Sequence, residues 1–285
     1  MKPAPFTYLR AESVAQAVAL LAQFGPEGGR VLAGGQSLVP LMAFRLAQPT
    51  HLIDINRIVD FGMLRVEDGM LCIPATTRHA DLAANAAPAP LGQLLAEMLR
   101  HIAHVPIRAR GTFCGSLAHA DPAAEWPLAF ATFEGSVVAR SERGERVIPA
   151  SDWFHGLMTT ALTEDELLME ARLRLPAADE RLGFYEISRR NGDYAMAMAL
   201  VSLRIADGVI RSARIGVGGA EPMPRRIAEV EALLTGATPD AFAFHRAANA
   251  AANAVDPMRD MQVSAALRRD LLRAVVQRAL WDALA

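Results

Sequence analysis

One stretch decides the fold: Val31-Leu32-Ala33-Gly34-Gly35-Gln36-Ser37-Leu38-Val39-Pro40. Its first three apolar residues predict a short buried strand, the paired glycines predict a tight turn, and the apolar run after Ser37 predicts the start of a helix. Adjacent glycines let a backbone adopt positive φ and approach a ligand closely. Successive N–H groups in such a turn, next to a helix N-terminus, form a concave site that suits a diphosphate.

The glycine pattern differs from two widespread nucleotide-binding motifs. No Gly-x-Gly-x-x-Gly follows a predicted strand, and no Gly-Lys-Ser/Thr occurs in the chain. On this motif alone, a tight turn that binds nothing remains an open interpretation.

Residues 110–125 form a second candidate segment, in which small residues, hydroxyls and carboxylates are concentrated. We expect residues 107–120 to be a loop and Pro122 to occupy the first turn of a helix that ends near Phe133. The polar groups suit the hydroxyls of a nucleotide cofactor. Two alternatives stay open: a metal site at His119, Asp121 and Glu125, for which no partner cluster is visible, or a helix-capping Asp121 beside an exposed His119.

Residues 188–194 form a third segment, Ser188-Arg189-Arg190-Asn191-Gly192-Asp193-Tyr194. This segment positions a hairpin, or else Tyr194 presents its ring to a planar ligand. We find no GxSxG, HExxH or paired-cysteine motif, and therefore predict neither catalytic residues nor a metal site in this chain.

Composition restricts the function further. The 285 residues carry a formal net charge of −2, which gives no basic excess for nucleic acid. Cys72 and Cys114 are the only cysteines, so a disulfide framework is not expected and a four-thiolate iron–sulfur cluster is excluded. The first residues lack the apolar core of a signal peptide, and no uncharged run is long enough for a bilayer. We therefore expect a cytoplasmic protein.

Periodicity predicts an α+β protein in two parts. In the first part, a helix follows Ser13, strands cover residues 51–55 and 70–74, Thr76 and Thr77 cap a helix, another helix covers 91–101, and a strand covers 167–175. A boundary is placed near residues 176–181. In the second part, strands cover residues 184–188, 195–205 and 209–217, with a hairpin turn at Asp207-Gly208. Helices then cover residues 225–234, 241–254 and 264–284.

Taken together, these segments resemble the FAD-binding medium subunit of the carbon monoxide dehydrogenase and xanthine dehydrogenase family of molybdenum hydroxylases. The resemblance covers essentially the whole chain. Four segments carry it, in the family's order: residues 32–40, Ala75-Thr76-Thr77-Arg78-His79, Thr112-Phe113-Cys114-Gly115-Ser116 with the following residues to 127, and Arg189 to Tyr194.

The resemblance implies a fold, a cofactor and partners. The fold would be a two-lobed α/β FAD-binding domain of the vanillyl-alcohol-oxidase kind at residues 1–176, with lobes at about 1–58 and 59–176. An antiparallel strand meander with helices would follow at 177–285. FAD would pass electrons from the [2Fe–2S] clusters of a small subunit to an external acceptor, while a large subunit holds the molybdopterin cofactor, in a heterotrimer or a dimer of heterotrimers. The implied FAD-binding residues are Leu32, Ala33, Gly34, Gly35, Gln36, Ser37, Leu38, Thr77, Ile102, Thr112, Phe113, Cys114, Gly115, Ser116, Asp121, Glu125, Leu168 and Tyr194.

Several residues depart from the family's pattern. In the family, the second loop usually reads Thr-Ile-Gly-Gly-Asn. Here Cys114 stands at the position of the first glycine and Ser116 at the position of the Asn. Pro74 replaces a common glycine, and Tyr185 a lysine that some members carry. Two alternatives therefore remain: a stand-alone FAD oxidoreductase of the same fold, or a structural subunit that has lost its flavin.

Overall fold

The computed structural model describes residues 2–83 and 86–285. The first lobe contains β1 (Thr7–Arg10), α1 (Val14–Phe24), β2 (Arg30–Leu32), α2 (Leu38–Ala43) and β3 (His51–Asp54). The three strands form a parallel sheet in the order β1-β3-β2. Ser13 caps α1, since its hydroxyl accepts a hydrogen bond from the Gln16 amide at 3.1 Å. The helix predicted after Ser13 is confirmed, and its buried face packs on the sheet.

The second lobe has a larger antiparallel sheet and most of the helices around the cleft. It contains β4 (Arg65–Glu67), β5 (Met70–Pro74), a 3-10 turn (His79–Leu82), α3 (Leu91–His101), α4 (Val105–Arg108), α5 (Phe113–His119) and α6 (Glu125–Thr132). After these come β6 (Ser136–Ser141), β7 (Gly144–Pro149), a second 3-10 turn (Ala150–Asp152), β8 (Phe154–Gly156), β9 (Thr159–Thr160) and β10 (Leu167–Arg174). The sheet order is β4-β5-β10-β6-β7, and β8 pairs with β9 alone. Trp126, Phe130 and Trp153 fill the core beneath it.

The remaining chain is an antiparallel meander covered by helices, as predicted. Its elements are β11 (Glu180–Ser188), β12 (Ala195–Ala206), β13 (Val209–Gly218), β14 (Arg225–Arg226), α7 (Ala228–Leu234), α8 (Ala241–Ala254) and α9 (Ala265–Asp282). The strands follow the order β11-β12-β13-β14. Asp207 and Gly208 join β12 to β13 with φ of 53° and 72°, the geometry of a two-residue hairpin turn. The predicted α+β class is therefore confirmed.

The meander and the second lobe share one hydrophobic core. Phe184, Met198 and Leu200 of the meander are fully buried in the same cluster as Trp126 of α6. Polar contacts add to this join. The Glu180 carboxylate accepts hydrogen bonds from Arg174 of β10 at 3.2 Å and from the Ser202 hydroxyl at 2.6 Å. Arg214 lies 3.2 Å from the same oxygen.

Four expectations about elements were wrong. The expected loop at residues 107–120 contains the second half of α4 and all of α5, because the Thr112 side chain caps α5 and its small residues pack tightly. The helix expected from Pro122 begins only at Glu125, since Asp121 first forms a turn by accepting a hydrogen bond from the Ala123 amide. The segment after Thr77 is a 3-10 turn capped by Arg78. Residues 225–226 pair with β13 before α7 begins.

Strands β1, β4, β6, β7, β8 and β9 were also not predicted. β1 is short and largely exposed on both faces, and β7 is an edge strand rich in charged residues, so neither shows clean alternation. Within the described ranges, 2–83 and 86–285, no helix has the length and apolarity needed to cross a membrane.

Candidate functional site

A cleft of about 990 Å³ opens between the first lobe, the second lobe and the beginning of the meander. This volume lies at the upper end of the range for small-molecule sites, about 300–1,000 Å³. Predicted residues from all three regions line it: Ala33, Gly34, Gly35, Gln36, Ser37, Leu38, Ile102, Thr112, Gly115, Ser116, Asp121, Glu125 and Tyr194. The structure thus brings the three candidate segments of the sequence to one place.

The paired glycines allow the first loop to approach the second segment closely. A Cβ at Gly34 would lie 2.3 Å from the carbonyl oxygen of Arg110 and 2.6 Å from Cα of Gly111. Gly35 has φ of +72°, a conformation that costs other residues free energy. The two backbones therefore touch, and both can face the same ligand.

The second loop is a helix start. The Thr112 hydroxyl accepts a hydrogen bond from the Gly115 amide at 3.0 Å, which caps α5. The backbone of Cys114 is α-helical, so the lost glycine costs no φ strain. A neighbouring segment supports this helix start, because Thr77 O accepts from the Phe113 amide at 3.2 Å.

The amide side chain of Asn56 joins the first loop to the segment around Arg78. Asn56 donates hydrogen bonds from Nδ2 to Ala33 O at 2.8 Å and to the Asp54 carboxylate at 2.6 Å. Its Oδ1 accepts from the Arg78 guanidinium at 2.7 Å. Arg78 also donates to the carbonyl oxygen of Arg110. Asn56 and Arg78 therefore connect both walls of the cleft, a role that the sequence did not reveal for Asn56.

A neutral histidine forms part of the wall. The indole N–H of Trp126 donates to Nδ1 of His79 at 2.8 Å. Because the indole can only donate, Nδ1 must be unprotonated and the proton of the neutral ring must lie on Nε2. Burial, with the nearby charges of Arg78 and Arg108, lowers the pKa of His79 to about 4. His79 was quoted in the resemblance, but only the fold brings it to Trp126.

Acidic groups lie in the floor and a tyrosine at the mouth. Glu125 begins α6 and is 7% exposed, while Asp121 holds the preceding turn. Tyr194 is 63% exposed and lies at the edge of the cleft. His119 also lines the cleft. Across the part of the chain that the structure describes, no group of three or more His, Cys, Asp or Glu side chains is placed to hold a metal ion.

Five predicted residues lie behind the lining: Leu32, Thr77, Phe113, Cys114 and Leu168. Phe113 is fully buried, 5.4 Å from Trp126 between ring centroids. The Cys114 thiol is buried and lies 3.4 Å from Ile73 O, and burial raises its pKa, so it is a protonated core thiol. These residues can shape the cleft, but their side chains do not line it.

The cleft fits the cofactor that the resemblance implied. Its volume suits a dinucleotide, Gly34 lets the backbone of the first loop reach the second segment, and polar groups of α5 and α6 line the same space.

Comparison with known proteins gives two family matches. Residues 4–178 match the FAD binding domain in molybdopterin dehydrogenase, and residues 183–283 match the CO dehydrogenase flavoprotein C-terminal domain. The alpha subunit of the 6-hydroxypseudooxynicotine dehydrogenase complex of Paenarthrobacter nicotinovorans is 38% identical, over 100% of this chain and 96% of that protein. The medium subunit of nicotine 6-hydroxylase from the same organism is 37% identical, over 99% of each.

A solved structure is similar over its full length. A chain of carbon monoxide dehydrogenase from Hydrogenophaga pseudoflava, in a form lacking the Mo-pyranopterin moiety of its cofactor, superposes with a TM-score of 0.93 at 35% identity. The match covers 100% of this chain and 99% of that one.

Proposed function

We propose that this chain, which belongs to the FAD-binding medium subunits of the molybdopterin dehydrogenase family, relays electrons through FAD from a partner subunit to an external acceptor. One observation carries the proposal. Two loops from different lobes meet backbone to backbone at Gly34 and Arg110, and both line a cleft of dinucleotide size.

We assign the diphosphate to the first loop and the start of α5, where backbone N–H groups and hydroxyls are available. Asp121 and Glu125 would face the ribityl and ribose hydroxyls, and Tyr194 would flank the isoalloxazine ring. The residues behind the lining, Leu32, Thr77, Phe113, Cys114 and Leu168, would position it.

When bound, FAD supplies the redox chemistry, and the protein supplies orientation and electrostatics. The first loop and α5 hold the phosphates, and the Asn56–Arg78 contacts fix the distance between them. The Trp126–His79 pair keeps a neutral wall, since His79 stays unprotonated well below neutral pH. Tyr194, exposed at the mouth, limits the access of water and of acceptors.

The remaining assignments concern the complex. A large subunit would carry the molybdopterin cofactor, as the family implies. A small subunit would carry the [2Fe–2S] clusters, because Cys72 and Cys114 are the only cysteines here and both are buried. Residues 1–176 would form the FAD-binding domain, with lobes at about 1–58 and 59–176, and residues 177–285 the C-terminal domain. We place the complex in the cytoplasm, where such thiols stay reduced.

The direct test is a visible spectrum of the purified full chain, with and without added FAD. We expect flavin absorption that is released on denaturation. Anaerobic reduction followed by mixing with NAD, a quinone, a cytochrome or oxygen should identify an acceptor that restores the oxidised spectrum. A protein that takes up no FAD, or whose reduced cofactor no acceptor reoxidises, contradicts the proposal.

A matched pair of variants tests the loop assignment. Gly35 and Gly208 both have φ of +72°, but only Gly35 lines the cleft, and Gly208 has open space around it. Valine at either position imposes similar backbone strain. Gly35→Val should lose FAD while Gly208→Val retains it. Equal retention in both variants would contradict the assignment.

A further inference from the structure

Two buried carboxyl groups, one in the lining of the cleft and one in β11, are close enough to interact electrostatically. Glu125, in the first turn of α6, is 7% exposed and lines the cleft. Glu186, in β11, is 8% exposed, and both of its carboxylate oxygens are buried without a hydrogen-bond partner among the described residues. An unpartnered ionised carboxylate in such a place is costly, so this arrangement requires an explanation.

In the part of the chain that the structure describes, no Lys or Arg side chain lies at salt-bridge distance from Glu125 or Glu186. Within the described ranges, the basic side chain at salt-bridge distance from Glu186 is His101 of α3, whose Nδ1 lies 3.8 Å from Oε1. Burial, together with the charge of Arg100, lowers the pKa of His101, so the imidazole is neutral at pH 7. On the α6 side, Asp121 adds a further negative charge near Glu125.

The described neighbours of β11 in β12 and α9 place no further charge beside Glu186. The cross-strand partner of Glu186 in β12 is the apolar Met198. From α9, the Arg278 guanidinium is placed 4.7 Å from the ring centre of Tyr185, and Tyr185 points to the opposite face of β11 from Glu186.

The electrostatic consequence is proton retention. Burial raises the pKa of Glu186 to about 8. Burial, followed by the charge of Glu186, raises the pKa of Glu125 well above its usual range. Two neighbouring carboxyl groups without a cation cannot both ionise at neutral pH.

We propose that Glu125 and Glu186 together hold at least one proton at neutral pH, so that Glu125 meets the cofactor as a neutral hydrogen-bond donor. The proposal rests on the assignment of FAD to this cleft. A carboxylate at Glu125 would repel an anionic dinucleotide, whereas a carboxylic acid can donate to a hydroxyl or carbonyl oxygen. His101, whose side chain is 32% exposed, connects the pair with solvent and lets it equilibrate with bulk pH.

The first test is the affinity of the apo full chain for FAD between pH 6.5 and 9. If binding requires the protonated pair and its pKa is about 8, the Kd should rise about tenfold from pH 7 to pH 9. Glu125→Gln mimics the neutral acid and should bind FAD with little pH dependence. Glu97→Gln removes an exposed acid of α3 outside the cleft and should follow the wild type.

A second test needs no cofactor. Infrared spectra of the apo chain at pH 7 should show a protonated carboxylic acid that Glu125→Gln or Glu186→Gln removes and Glu97→Gln retains. Failure of FAD to bind at any pH would contradict the proposed function. The infrared spectrum would still show whether Glu125 and Glu186 hold a proton. A spectrum without that acid, or a wild-type Kd that stays constant to pH 9, overturns the proposal. If Glu125→Gln does not fold, Glu186→Gln and the wild-type spectrum decide it.

Discussion

Asn56→Ala should loosen the first loop of the cleft, because this one side chain joins three segments. It donates to Ala33 O and to Asp54, and it accepts from Arg78, which itself donates to Arg110 O. Alanine removes these three side-chain contacts of Asn56 itself and leaves the Arg78 guanidinium with its bond to Arg110 O.

The expected loss follows from the contacts. Asn56 is half-buried, so each neutral hydrogen bond contributes about 0.5–1.5 kcal/mol, and the bond from the Arg78 guanidinium somewhat more. We expect the free energy of unfolding to fall by about 2–3 kcal/mol. The FAD affinity should fall about tenfold, which corresponds to about 1.4 kcal/mol.

The assay is a double-mutant cycle over Asn56→Ala, Arg78→Ala and the double variant, measured by urea unfolding and FAD titration. Because the Asn56–Arg78 bond is partly exposed, we expect a coupling energy of about 1 kcal/mol. Asn253→Ala, on the exposed face of α8, is the control and should change neither quantity.

Two results would refute this reasoning. Additive effects of the single variants would mean that Asn56 and Arg78 do not act together. An unchanged FAD affinity in Asn56→Ala would mean that the loop keeps its position without the clamp.

Three further predictions concern burial and charge. Glu180→Gln should lower the free energy of unfolding by about 2–4 kcal/mol at pH 7, because Arg174 and Arg214 lose a buried partner. Hydrogen bonds from Arg174 and Ser202 outweigh burial and lower the pKa of Glu180, so the stabilisation by its carboxylate is present above pH 4–5 and is lost in acid. The free energy of unfolding of Glu180→Gln should therefore depend less on pH between 5 and 3 than that of the wild type. An equal dependence in both proteins would contradict the ion-pair assignment. Trp126→Phe should raise the pKa of His79 above about 4 in an NMR titration, because no donor then opposes a proton on Nδ1. An unchanged pKa would mean that burial and the charges of Arg78 and Arg108 lower it without help from the indole. Cys72 and Cys114 should resist a thiol reagent in the native protein and react in denaturant, since burial raises both pKa values; rapid native labelling of Cys114 would mean that α5 opens.

Sequence reasoning succeeded where the signal is local. Ser13 with Gln16 marked the start of α1, and Asp207-Gly208 marked a hairpin, because caps and tight turns depend on a few adjacent residues. The same holds for Gly34-Gly35, because a pair of glycines by itself indicates positive φ or a close backbone approach.

Contacts between distant residues could not be predicted. Nothing near Asn56 indicates that it reaches Ala33 and Arg78, and the sequence places Trp126 far from His79. The Glu125–Glu186 pair is of the same kind, since burial decides whether a glutamate is charged. The small residues of 107–120 led to the wrong prediction of a loop. The same residue types allow close packing of α4 and α5.

The shared core has a consequence for modular engineering. Phe184, Met198 and Leu200 of the meander complete the apolar packing around Trp126. A second lobe cut off at residue 176 would therefore have an uncovered apolar face. An excised flavin module would expose this apolar area to solvent and aggregate. Exchange of the FAD-binding part between relatives therefore requires transplanting β11 and β12 together with the second lobe, and a chimera joined inside this core would inherit mismatched packing from two parents.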